Sequence, residues 1–318
     1  MDRNSLRGPL LRSVSRSFYL SLRFLPKALR DPLSLAYLLA RATDTIADTP
    51  EPPVGLRVEA LHKLAAAIQG TAAKETADEL RESFARLQSD SAERKLIEQL
   101  PALLDWLEEL PAADRVEVRK VLVTINRGQS LDLERFGPGG EIFSLKNAAA
   151  LDEYTFLVAG CVGEFWTRLC FAHVKNFSAR SQSEMRELGV RYGQGLQLIN
   201  ILRDAGDDLR NGRCYFPADE LDSSGVTPAE ILRDLSRIEP VLRKWREKAG
   251  QGMEAGMEYA AAIRNRRVRF ATALPAMIGA RTLVLLREAG PDALRRKVKV
   301  PRAEVRKMIL ASALGRSK

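Results

Sequence analysis

The sequence predicts an all-α fold, and three observations carry that prediction. Ala, Leu, Arg and Glu dominate the composition, and all four suit helices. Strand-like alternation is absent, and β-branched residues are sparse. Prolines fall at intervals that leave whole helices between them.

In chain order, breaks at Pro26, Pro32, Pro52 and Pro53 leave helices at about 33–48 and 54–70. The next are expected at about 73–108 and 112–136, the second opening after Pro111 and closing at the loop Gly137-Pro138-Gly139-Gly140. Two long helices, at about 147–174 and 178–210, run up to the break at Pro217. Thr227 before Pro228 reads as an N-cap followed by a proline at the first helical position, which starts a short helix at about 228–235. Helices at about 239–264, 266–288 and 302–314 complete the chain, with Pro275 expected to kink the second of these. No internal repeat and no long linker interrupts residues 1–318, so a single domain is expected.

At 45% hydrophobic and 29% charged, the chain can fill a large core and keep a polar surface. Cys161, Cys170 and Cys214 have no disulfide or metal-ligand spacing and read as buried free thiols in a reducing compartment. His62 and His173 are too few and too scattered for a histidine metal site or a Ser–His–Asp triad. The net charge of +9 favours an anionic partner: nucleic acid, a phosphorylated substrate or an acidic membrane surface. No apolar run is expected to reach the roughly 18 residues of a membrane span, because Arg281 interrupts the best stretch, Ala271–Leu286. The N-terminal segment is rich in Arg and Ser, faintly like a transit peptide, and lacks the apolar core of a secretory signal.

Two segments combine acids with apolar helix. In YLLARATDTIAD, Tyr37, Arg41, Asp44 and Asp48 lie at i, i+4, i+7 and i+11, one stripe down a helix. In QLINILRDAGDD, Gln197, Asn200, Asp204 and Asp208 lie at i, i+3, i+7 and i+11. Neighbouring positions are apolar (Leu35, Leu38 and Leu39; Leu198, Ile199, Ile201 and Leu202), so each polar stripe rides on a helix made for burial. Carboxylates in such a setting are costly unless paired or coordinated. Mg²⁺ fits them, because it takes hard oxygen ligands and combines one or two carboxylates with phosphates and water. Two facing stripes could hold several Mg²⁺ ions around a diphosphate, with Arg41 and Arg203 bonding phosphate oxygens directly. Either stripe alone would read as a solvated acidic face; the two together favour the metal reading.

These residues resemble the squalene/phytoene synthase family. SRSF (Ser15–Phe18), YLLARATDTIAD, DEYTFLVAGCVGEF (Asp152–Phe165) and YGQGLQLINILRDAGDDLRNGRCYFPADEL (Tyr192–Leu221) occur in that family's order and spacing, from about residue 14 to 310. The resemblance implies an isoprenoid-synthase-type helical bundle around a central cavity, acting as a Mg²⁺-dependent prenyltransferase that joins two prenyl diphosphates head to head. It makes Asp44, Asp48, Asp204, Asp208 and Asn200 metal ligands. It makes Ser15, Arg16, Ser17, Phe18, Tyr37, Arg41, Gln197, Asn200 and Arg203 substrate contacts. Tyr154 matches the tyrosine that assists the first half-reaction. Val158 and Val162 would line an apolar groove for the prenyl chain beside Cys161 and Phe165, with Gly160 and Gly163 allowing close helix approach.

The segments SRSF, ARATDTIAD and FATALPAMIGARTL (Phe270–Leu283) resemble the squalene-forming branch. That branch condenses two farnesyl diphosphates through presqualene diphosphate and then rearranges the product reductively with NADPH. Val298-Lys299-Val300 resembles a cofactor segment of that branch, so Arg16, Arg41, Arg203 and Lys299 would meet NADPH. Ala47 stands where a third acid is common, and Pro301 stands at a basic cofactor position. The other family reactions remain alternatives: phytoene or dehydrosqualene formation without reduction, or arrest at presqualene diphosphate. A basic helical nucleic-acid-binding protein is the competing class. No helix-turn-helix or basic-aromatic module supports it, and no nucleic-acid partner is expected. A cytoplasmic monomer with peripheral membrane contact and no transmembrane segment is expected.

Overall fold

In the computed structural model, which describes residues 5–15, 18–136 and 142–313, helix starts are set by local chemistry. Asp90 accepts from the backbone amides of Ala92 and Glu93 and opens the helix Ser91–Glu98. Ser181 and Glu184 form a reciprocal capping box at the head of Gln182–Arg210. Asn265 caps Arg266–Ala289, and Asn147 caps Ala148–Thr155. Pro240 occupies the first turn of Glu239–Ala262, where its missing amide costs no helical bond. Arg16 and Ser17, the side chain of Phe18, and the expected loop at Gly137–Gly140 lie outside the described residues.

The chain gathers into two compact units. The first comprises residues 1–134 with 168–175. Its principal helices are Lys27–Asp48, Val54–Ile68, Ala73–Phe84, Ser91–Glu98, Leu100–Glu108 and Ala112–Arg135, the last crossing into the second unit at its final residue. Leu35, Leu38, Leu39, Leu61, Leu64 and Leu103 are fully buried among them. The expected long helix at 73–108 is three helices. Gln88 turns inward to donate from its amide to Thr49 Oγ1 (2.8 Å) and the Phe84 carbonyl (3.1 Å), and Asp90 then caps a new start. Pro32, expected as a break, lies inside Lys27–Asp48 and is buried there.

The second unit comprises residues 135–167 and 176–318. Its centre is the helix Gln182–Arg210, packed on Glu239–Ala262, which packs in turn on Arg266–Ala289. Two pairs of backbones approach closely enough to exclude side chains. A methyl on Gly195 would stand 2.7 Å from the Gly252 Cα, and one on Gly163 would overlap the Gly189 carbonyl. The segment expected as one helix at 147–174 runs as Ala148–Thr155, a π turn at Phe156–Gly160, and Cys161–His173.

Three further expectations are corrected here. Residues 228–235 form turns, not a helix: Thr227 donates to Glu230 from both its amide and its hydroxyl, but no helix propagates beyond that turn. A two-stranded parallel pair, β1 (Phe143–Leu145) and β2 (Arg213–Pro217), escapes a periodicity reading because β1 is only three residues long and β2 is buried almost throughout. The helical stretches Ala148–His173 and Arg266–Leu294 are long and apolar enough to cross a membrane by length and composition. The charged residues within them are too few to break the hydropathy, and Leu151, Leu157, Leu274 and Leu286 are buried in the fold. Pro275 sits within Arg266–Ala289, which continues past it. All three cysteines are free and buried, with burial pushing the Cys161 and Cys214 thiols up to about 12 and about 11.

Candidate active site

In the first unit, the helix Lys27–Asp48 buries almost every side chain from Pro32 to Ala47 except one row. Tyr37, Arg41, Asp44 and Asp48 form that row and keep contact with solvent, as the i, i+4, i+7, i+11 spacing requires. Arg41 is held between Asp44 and Glu93, forming an ion pair with each. Burial of the Asp44 carboxyl, reinforced by the Asp48 charge one turn on, pushes its pKa up to about 6 despite Arg41. Its side chain nevertheless keeps 39% of its surface in solvent, so a cation can reach it. Asp44 and Glu93 thus share one arginine.

Tyr37 donates its hydroxyl to the Val14 carbonyl at 3.1 Å. Ser15 is buried, and its hydroxyl donates to the Leu11 carbonyl one turn back. That bond occupies the donor that a substrate oxygen would use.

In the second unit, the helix Gln182–Arg210 presents the corresponding row. Asn200 is exposed and donates to Gln197 at 3.3 Å. Arg203 forks onto Asp204 with bonds of 2.9 and 2.5 Å. These bonds, with Asp208 adding to the field, hold the Arg203 guanidinium above its ordinary pKa. Both acidic helices thus pair the leading aspartate of a DxxxD motif with an arginine close in sequence.

β2 links this row to Tyr154. Its Cys214 lies within the electrostatic reach of Asp208, and its Tyr215 stacks on Tyr154 with ring centroids 5.0 Å apart and planes 25° from parallel. Phe136 meets the edge of Tyr215, also at 5.0 Å. Tyr154 is buried and turns its hydroxyl towards that of Tyr215 at 3.5 Å. On the following π turn and helix, Val158 is half-buried, Val162 is exposed, and Cys161 and Phe165 are buried. Val158 lies on the π turn Phe156–Gly160 and Val162 on the helix that follows it.

Lys299 is exposed on the segment joining the buried Val298 to the helix Arg302–Ala313. Glu93 and Tyr215 were missed by sequence reasoning. Tyr215 lies in the GRCYFP stretch, where nothing local distinguishes it from a core aromatic. Glu93 has no sequence signal beyond its place three residues after the Asp90 cap.

Among the described residues, no group of three or more His, Cys, Asp or Glu side chains gathers into a cluster that could hold a metal. Each DxxxD row offers two carboxylates. That suits Mg²⁺, which leaves several positions to phosphate and water.

The chain is similar to curated proteins and to solved structures. A bifunctional lycopene cyclase/phytoene synthase of Phaeosphaeria nodorum is 30% identical over 244 residues, covering 75% of this chain and 38% of that protein. Squalene synthase of Saccharomyces cerevisiae is 28% identical over 211 residues, covering 65% of this chain and 44% of that protein. The chain thus spans less than half the length of either curated relative. The solved structure of TcSQS with the ligand E5700 shares the fold at a TM-score of 0.78 and 22% identity, over 98% of this chain and 86% of that one. The squalene/phytoene synthase family matches residues 11–304, and this chain belongs to it.

Proposed function

We propose that this protein is a Mg²⁺-dependent prenyltransferase that joins two farnesyl diphosphates head to head through presqualene diphosphate and reduces the product to squalene with NADPH. The observation that carries the first half is the repeated device of a solvent-facing DxxxD row with an arginine on its leading aspartate. Asp44, Asp48, Asp204, Asp208 and Asn200 would hold the Mg²⁺. The metal would supply positive charge to the departing diphosphate. Arg41 and Arg203 can exchange a carboxylate for a phosphate oxygen, because guanidinium forks suit both. Closing the cyclopropane ring releases one proton. Tyr154, supported by Tyr215, is the buried hydroxyl best suited to assist that loss.

For the reductive half, Lys299 remains an exposed cation suited to a cofactor phosphate, and NADPH would supply hydride. Arg41 and Arg203 carry carboxylates in this structure and would meet the cofactor only after releasing them. A second reading has support from the relatives. The Phaeosphaeria protein is named for phytoene synthesis, which would make the substrate a C20 diphosphate and dispense with reduction. On the squalene reading the protein acts in the cytoplasm as a monomer and delivers an insoluble hydrocarbon to a membrane surface.

Product analysis separates the two. Purified protein incubated with farnesyl or geranylgeranyl diphosphate and Mg²⁺, with and without NADPH, should yield squalene only from the C15 substrate with NADPH. Phytoene from the C20 substrate, unaffected by NADPH, would establish the second reading.

A further inference from the structure

We propose that the surface from Arg295 to Leu310 docks the protein on an anionic lipid bilayer. The inference deepens the reading above, in which the product is a hydrocarbon that must leave water. Residues 295–307 hold seven Lys and Arg against one Glu, a local net charge of +6 in a chain whose whole net charge is +9. The single acid, Glu304, is turned away to Arg281, whose Nε lies 2.7 Å from Glu304 Oε2. It also lies within the field of Lys307, so it offsets one cation of the face in part and leaves the excess of the others.

The segment is anchored by its apolar residues: Leu294 and Val298 are buried in the core of the second unit. Its cations Arg295, Arg296, Lys297 and Lys299 are all exposed, with Arg295 donating to the Leu232 carbonyl at 3.2 Å and Lys297 lying 3.5 Å from Asp207 Oδ2. The helix Arg302–Ala313 packs on Arg266–Ala289 and exposes Arg302, Arg306 and Leu310 in one row at i, i+4 and i+8, with Lys307 beside it. Leu310 is 63% exposed, the most of any large apolar side chain among the described residues. Met308 and Ile309 are half-buried next to it. Cations leading into an exposed apolar tip suit an interface in which headgroups take the charge and acyl chains take the leucine. Residues 295–310 contain no aromatic side chain, so they offer no platform for base stacking, and a lipid fits better than a nucleic acid.

The test is co-sedimentation with phosphatidylcholine vesicles, with and without phosphatidylserine. It uses the wild type, the triple variant Arg302→Ser, Arg306→Ser, Lys307→Ser, the single variant Leu310→Asp, and a charge-matched control with Lys74→Ser, Arg86→Ser and Lys95→Ser, three positions exposed on the first unit. The wild type and the control should bind vesicles containing phosphatidylserine. The triple variant should partition roughly a hundredfold more weakly, at about a fivefold loss per charge removed. Leu310→Asp should weaken binding severalfold. Turnover on detergent-dispersed substrate should be the same in all four proteins, so docking and chemistry are read separately. Equal binding to neutral vesicles, no wild-type binding, or an equal loss in the charge-matched control would overturn the proposal. So would tighter binding to an RNA oligonucleotide than to vesicles, if the same triple variant abolished it.

Discussion

Tyr154 lies nearly flat against Tyr215, with ring centroids 5.0 Å apart and hydroxyls 3.5 Å apart, so a residue of β2 carries the tyrosine we propose for the first half-reaction. Tyr215→Phe keeps the stack and removes the hydroxyl partner. It should leave the melting temperature close to wild type and lower the rate of cyclopropyl-intermediate formation. Tyr215→Leu loses the stack as well and should cost a further ~1 kcal/mol of stability. Tyr154→Phe should suppress the intermediate while leaving substrate binding mostly intact. Single-turnover kinetics beside thermal denaturation would separate these effects, and an unchanged rate in Tyr215→Phe would remove its supporting role.

Asp44 makes the apoprotein's stability depend on pH with a definite sign. Its pKa rises from an ordinary 3.8 to about 6 on folding, because burial and Asp48 disfavour the charged form. The folded state therefore binds the proton more tightly than the unfolded state. The destabilisation is full above about pH 6 and is relieved as pH falls towards 3.8. Asp44→Asn should raise the melting temperature at pH 7.5, by a gain that solvent screening holds to ~1 kcal/mol. That gain should shrink towards pH 4. Mg²⁺ should stabilise the wild type more than the variant at pH 7.5. A variant less stable than wild type at pH 7.5 would contradict the crowded-carboxylate account.

The glycine contacts predict opposite outcomes for one kind of substitution. Gly163→Ala places a methyl against the Gly189 backbone, and Gly195→Ala places one against Gly252, neither of which can yield as a flexible side-chain end could. Each should cost ~1–3 kcal/mol. Gly250→Ala, in the same helix as Gly252, meets nothing within 4 Å and should stabilise by ~0.5–1 kcal/mol through helix propensity. Urea denaturation of the three variants would measure both signs.

Lys299→Ala should lower NADPH-dependent squalene output and raise presqualene diphosphate, while the rate of the first condensation stays near wild type. Product ratios against NADPH concentration read this directly. Equal loss of both products would move Lys299 out of a cofactor role.

The polar rows were legible because helical geometry is local. The spacing of Asp44 and Asp48, and of Asp204 and Asp208, places each pair on one face whatever the rest of the chain does, and both rows keep solvent contact in the structure. The helix at Gln182–Arg210 was legible for the same reason, within four residues at its start. The break at Gln88 was not, because it depends on a bond to Thr49, 39 residues away. Nor were β1 and β2, whose pairing joins segments roughly seventy residues apart in the chain. Glu93 reaches Arg41 across 52 residues, and Tyr215 reaches Tyr154 across 61. The sequence thus exposed the parts of the site that share a helix. It hid the partners supplied by another element.

The central claim is that the aspartate rows drive condensation of two prenyl diphosphates. Its most direct measurement is the rate of presqualene diphosphate formation from farnesyl diphosphate with Mg²⁺ and without NADPH, in wild type, Asp48→Asn and Asp204→Asn. The wild type should form it, should stop when the metal is chelated, and should recover when Mg²⁺ is restored. Each variant should lose several kcal/mol of transition-state stabilisation, on the order of a hundredfold or more in rate. Condensation that persists in chelator, or that proceeds at the wild-type rate in either variant, would contradict the account.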